Sequence, residues 1–289
     1  MFPNALFPEL IRFIESTGLS DKARGNLAAK LPRILGQGNT KTVGLTAPPA
    51  DIERKMEVAS LELPAGTILP IEVQAEIRVA AEEIAQVKAE LSREEGKRRL
   101  ATAALGRISQ PGGIKDGKFY AGRLILGCER GGLEWTWSIT PHYPIIRRIP
   151  PDPEYISRAF EQAQTDIQRL TLPPEVFEGR LLLSWMLARH FSTSEDVLVT
   201  DVMRMFNVAG QDDKFWQAPQ RQFFRDLPEA AFVVNLMSWR MRASSNVALF
   251  EFVPATVDKA LGRKAQVFFM PMNNEGTDVR PMVYLRKRS

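Results

Sequence analysis

The longest regular pattern of apolar and polar positions runs from Ile71 to about Leu105. Val73, Ile77, Ala80, Ile84, Val87 and Leu91 recur at 4-3-4-3-4 spacing, which keeps one apolar seam on one helix face. Beyond Leu91 the seam meets Glu94 and Arg98, and Gly96 weakens the helix locally. Glu94–Arg98 and Glu95–Arg99 stand at i,i+4 in the favourable order, so the outer half is expected to be helical and solvated. The seam predicts a long helix packed on its own domain, with a helix-to-partner seam as the alternative.

Upstream, "PELIRFIEST" predicts a helix ending at Gly18, and "LSDKARGNLAAKLPRIL" a second one capped by Ser20. Residues 36–51 read as a Gly/Pro-rich loop, and "KMEVASLEL", 55–63, as a strand by its partial alternation. After the turn cluster at 110–118, "FYAGRLILGCERGGLEWTWSITPHYPI" predicts a hairpin. Its Gly131-Gly132 pair supplies positive φ for a tight turn. Leu133, Trp135, Trp137 and Ile139 fall on one face and Glu134, Thr136 and Ser138 on the other, so one side is expected buried and one wet. The prolines of 149–155 mark the expected boundary between a helical part, 1–150, and a second domain, 153–289.

Residues 153–170 and 174–191 predict helices, the second rich in apolar side chains. Segment 194–210 reads as a short extended piece followed by a helix that Gly210 closes. "PQRQFF" and "PEAAFVVNLMSWRMRA" look helical. "NVALFEFVPATV", "AQVFFMPM" and "RPMVYLRK" look like strands, the last two joined by the turn "MNNEGTD". Over about 174–289 this order resembles a winged-helix arrangement, which implies one helix in a major groove and a β-hairpin beside the backbone. Two segments, 219–227 and 228–242, compete for the groove-reading role. The expected fold class is α+β: helices and a β-hairpin first, then winged-helix-like helices with a small antiparallel sheet.

Composition adds exclusions. With 44% hydrophobic and 25% charged residues over 289, the chain is an ordinary globular one. The single cysteine, Cys128, rules out an internal disulfide and a thiolate zinc site and fits a cytoplasmic location. The apolar opening lacks a basic leader region, and no run reaches the ~20 apolar residues needed to span a bilayer, so no membrane partner is expected. Residues 214–289 carry 12 Lys/Arg against 6 Asp/Glu, while the formal charge of the whole chain is +4. That asymmetry points to an anionic partner for the C-terminal part.

Catalytic patterns are scarce. "GQGNTKT" ends in Lys41-Thr42, but Thr40 and Leu35 occupy the two positions where a phosphate loop needs glycine. His142 and His190 lie in no ligand spacing, no G-x-S-x-G occurs, and Asp212-Asp213 have nothing patterned around them. No catalytic residue, metal or cofactor is assigned. The basic clusters carry more weight: Arg221 with Arg225, Arg240 with Arg242, Arg263-Lys264, and Arg286-Lys287-Arg288, beside Arg147-Arg148 earlier in the chain. Arginine forks suit phosphates, and Phe223, Phe224 and Trp239 could stack on unpaired bases. In "LMSWRMRASSN" the stripe Phe232, Leu236, Trp239 should face the core. Arg242 overlaps that stripe and Arg240 points elsewhere, both favouring the negative end of a helix dipole. The expected function is non-enzymatic binding of DNA or RNA by the C-terminal basic surface, with the helix over 71–105 holding a protein partner or a second copy. The alternatives are a scaffold subunit of a larger complex, or a metal-independent ribonuclease built from Arg, His and Tyr.

Overall fold

The computed structural model describes residues 7–17, 25–38, 48–63, 66–115, 117–192, 196–242, 249–255, 267–273 and 275–287, with the backbone alone at Arg130, Met241 and Arg242. Within them the chain is α+β, with ten helices and two antiparallel sheets. It divides into two compact units built from interleaved segments. One takes Met1–Gly113, Leu126–Trp137 and Ile146–Gln162; the other takes Ile114–Ile125, Ser138–Ile145 and Ala163–Ser289.

In the first unit, helices α1 (Pro8–Ser16), α2 (Gly25–Ile34), α3 (Asp51–Ala59) and α4 (Ile71–Leu91) enclose one core. Leu10, Ile14, Leu27, Leu31, Ile34, Val58, Val73 and Ala80 are buried there, and Ile77 packs against them. The first half of the α4 seam, Val73 to Ala80, is therefore packed inside its own unit, while Ile84 and Val87 are half-buried. The expected cap at Ser20 lies outside the described residues.

Two elements differ from expectation. Residues 55–63 do not form a strand: 51–59 is α3, and the chain is irregular after Ser60. Its apolar period is interrupted because Glu53, Arg54 and Glu57 are themselves buried. Arg33 reaches Glu57 at 3.2 Å, and Arg54 Nε donates to the Ile34 carbonyl at 3.0 Å. Buried charges need such partners. The long helix also breaks. Ser92 Oγ donates to the Ala89 carbonyl, Arg93 is extended, and α5 (Glu94–Leu105) restarts the helix. A side chain at Gly96 would collide with the Glu90 carbonyl, so glycine permits this close turn.

Strands β1 (Gly112–Lys115), β2 (Lys118–Ala121), β3 (Leu124–Glu129), β4 (Glu134–Thr140) and β5 (Tyr143–Ile149) form a sheet in sequence order. Gly131 and Gly132 take φ of 67° and 87° between β3 and β4, as the turn requires. Trp135, Trp137 and Ile139 are buried as the alternation predicts. The expected wet face is corrected at its far end, where Ser138 and Thr140 are buried as well. Helix α6 (Pro153–Leu170) accepts the Trp137 indole N–H at the Ile156 carbonyl, 2.8 Å away.

The second unit holds α7 (Pro174–His190), β6 (Val197–Leu198), α8 (Val199–Ala209), α9 (Asp213–Gln217), α10 (Glu229–Arg242), β7 (Phe250–Pro254), β8 (Phe268–Pro271) and β9 (Val279–Lys287). β9 is the axis of the sheet: the order is β6-β9-β7, and β8 also pairs with β9 from Phe268↔Met282 to Pro271↔Val279. Phe177, Phe206 and Phe232 meet with ring centroids 5.4–6.3 Å apart and form the aromatic centre of this unit. Asn235, almost fully buried, donates to the Leu170 and Ala231 carbonyls and accepts from the Leu172 amide, each at 2.7 Å. Among the described residues no helix is long and apolar enough to cross a membrane.

Candidate nucleic-acid interface

The segment joining α8 to α10 contains Pro219 and Pro228, and proline restricts the residue before it away from helical backbone. What forms is the five-residue α9, a single 3-10 turn at Arg221–Phe223, and extended backbone between. The helix expected over 219–227 is thus corrected to one short turn. Two amides at the end of α8 hold this connector in place. Gln211 is buried; its Nε2 donates to the Arg225 carbonyl at 2.8 Å, and its Oε1 accepts the Arg225 N–H at 2.7 Å. Asn207 Oδ1 accepts from the Leu227 amide at 3.2 Å, and its Nδ2 donates to Asp226 at 2.8 Å. Asp212 caps α9 by accepting from the Phe215 amide and also faces Arg225 at 3.2 Å. Two of the connector's three carboxylates are therefore occupied in holding its shape.

The outer side of the connector is aromatic and basic. Phe215 lies between Trp216 and Phe224, both centroid distances being 5.5 Å. Trp216 is 51% exposed and Phe224 36%, and Lys214, Arg221 and Arg225 are exposed on the same segment. Beside it a cleft of about 180 Å³ is lined by Arg204, Phe206, Asn207, Leu227 and Phe232, among others. That is below the roughly 300 Å³ at which ligand pockets begin.

The remaining basic candidates do not join this surface. Arg286 forms a two-point ion pair with Asp196, at 2.8 and 3.1 Å, and stands opposite Glu251 in the β7–β9 register. Lys287, at the end of the same strand, is exposed. Arg240 turns inward: its guanidinium donates to the Pro271 carbonyl at 2.7 Å, and burial lowers its pKa. Arg263, Lys264 and Arg288 lie outside the described residues, as does the side chain of Arg242. Of the expected cluster, then, Arg221 and Arg225 are exposed on one connector, while Arg286 and Lys287 stand on another element.

Helix α10 also settles how its aromatic stripe is used. Every residue from Ala230 to Met237 is buried. Phe232, Leu236 and Trp239 are core, as their spacing predicts, so Trp239, packed on Phe177 at 6.2 Å, is not a stacking platform. Trp216 and Lys214, which the sequence reading passed over, are instead an exposed aromatic and an exposed cation on the connector. The signal was present: aromatics in "DDKFWQAPQRQFF" follow no period that could hide them all in a core.

Nothing comparable assembles around the histidines. His142 stacks on Phe269 with ring centroids 3.6 Å apart, and His190, exposed at the end of α7, meets Phe191 edge-on. Among the described residues no group of three or more His, Cys, Asp or Glu is placed to hold a metal ion. Compared with protein-family models, curated proteins and solved structures, the chain matches none.

Proposed function

We propose that the protein is a non-enzymatic nucleic-acid-binding protein whose α8–α10 connector takes unpaired bases. One observation carries the reading: Trp216 and Phe224 are exposed beside Lys214, Arg221 and Arg225 on a segment braced by buried amides. Aromatic faces accept stacked bases of any sequence, and neighbouring cations neutralise the phosphates. The element order α7-β6-α8-α10 followed by strands, with sheet order β6-β9-β7, supports a winged-helix-like module. In its third helix, α10, every residue from Ala230 to Met237 is buried, so that stretch offers no face to a duplex groove. Single strands fit the exposed chemistry better.

The test is fluorescence titration with poly-dT and poly-U oligonucleotides. Trp216→Ala should weaken binding by about 1–3 kcal/mol, the usual worth of one stacked base. With two or three cations engaged, log K should fall with log[salt] at a slope near −1.4 to −2, shallower than a basic groove would give. No binding at low salt, or binding indifferent to Trp216→Ala, removes the proposal. A second reading, an assembly subunit, is favoured by an apolar stripe on the outer face of α7.

A further inference from the structure

Helix α7 is apolar on two opposite faces. Phe177, Leu181, Ser184 and Ala188 are buried in the core of the second unit. On the other side Val176, Gly179, Leu183, Met186 and His190 repeat at 3-4-3-4 spacing, and all five are exposed. Such a period marks a seam for another helix, and Met186 at 56% exposed is a costly side chain to leave in water.

Resting on the assembly reading, we propose that this seam binds a second copy of the chain, with the two α7 helices antiparallel across a two-fold axis near Leu183. The spacing is self-complementary about that point. Gly179 lies four residues before Leu183 and Met186 three after it, so each methionine comes down close to the gap over the other copy's glycine, while Leu183 meets Leu183. Glycine is a poor residue for a helix interior, and nothing stands within 4 Å of where its Cβ would be. Its own fold gives no reason for it; close approach of a facing helix does. The charges agree. Glu175 and Glu178 flank the seam at the N-terminal end and Arg189 flanks the same side at the C-terminal end. Antiparallel pairing sets Arg189 of one copy between the two glutamates of the other. Arg189 spends one N–H on the Ser192 carbonyl at 3.2 Å and keeps four donors.

One helix face is smaller than the ~800 Å² per partner of a standard interface, so the dimer should be weak, with a dissociation constant of roughly 10–100 µM. Sedimentation velocity of the full chain from about 1 to 300 µM reads it. A concentration-dependent dimer is expected, and Leu183→Glu should be monomeric throughout. Gly179→Ala should raise the melting temperature of the dilute chain yet weaken dimerisation by about tenfold or more, opposite signs that a general loss of fold cannot give. Glu178→Arg and Arg189→Glu should each dimerise poorly alone, and their equimolar mixture should recover wild-type association. A chain monomeric at the highest concentration overturns the proposal, and so does Gly179→Ala dimerising undiminished or a mixture that does not recover. A dimer untouched by Leu183→Glu also overturns it while leaving the assembly reading standing. Loss of oligonucleotide binding in Trp216→Ala reports on the connector alone.

Discussion

Replacing Gln211 by methionine, of nearly equal volume, tests whether the connector is held by its buried amide. The side chain makes two bonds to Arg225, at 2.7 and 2.8 Å, and one to the Asn207 carbonyl at 2.7 Å. Arg225 is exposed, so water can take up its amide and carbonyl once the connector opens. Each bond then counts at its net worth of about 0.5–1.5 kcal/mol rather than at a full burial penalty. Losing the two that cross to the connector should therefore favour opening by about 1–3 kcal/mol, roughly 5- to 150-fold in population. Hydrogen exchange resolved by peptide is the assay. Amides of 212–227 should exchange faster by that factor, while those of α7 and α10 keep their protection, because local opening and global unfolding are separate events. Unchanged exchange over 212–227 would refute the bracket. Equal acceleration everywhere would refute its local character.

Asn235→Leu keeps volume but strands the Leu170 carbonyl and the Leu172 amide, so denaturant unfolding should lose about 2–4 kcal/mol at unchanged slope, and a loss below ~1 would contradict that assignment. Gly132→Ala sets a Cβ 2.7 Å from Leu91 Cβ at φ 87° and should cost about 2–4 kcal/mol, whereas Gly131→Ala, with open space around it, should cost only ~1–2 by calorimetry. His142 has its pKa lowered, by burial first and by Lys118 second. The unfolded chain then binds its proton more readily, so this stabilisation is present above about pH 6.5 and is lost as pH falls through the folded value. Between pH 7.5 and 5 the wild type should lose stability relative to His142→Phe, and a constant difference would remove the linkage.

What could be read along the chain was whatever neighbouring residues decide between themselves. The Gly131-Gly132 turn, the alternation of Trp135, Trp137 and Ile139, the β8–β9 hairpin and the stripe Phe232, Leu236, Trp239 are all short-range patterns, and each took the form its period predicts. The failures have a common cause. Helix α3 was hidden because Glu53 and Glu57 count as solvated in any pattern, yet both are buried in the fold, Glu57 against Arg33 of α2. The break before α5 depends on Gly96 passing the Glu90 carbonyl, which no propensity announces.

The same division runs through the candidate surfaces. Sequence alone determined that cations are concentrated after residue 213, since charge is additive and needs no coordinates. Tertiary structure decided that Arg286 faces Asp196, that Arg240 turns to Pro271, and that Trp216 rather than Trp239 meets water. It also decided that α7, rich in apolar residues in the sequence, has one apolar face covered and one bare. Helical period says which residues share a side. Which side is covered depends on elements that close over it from far along the chain, and that is a property of packing.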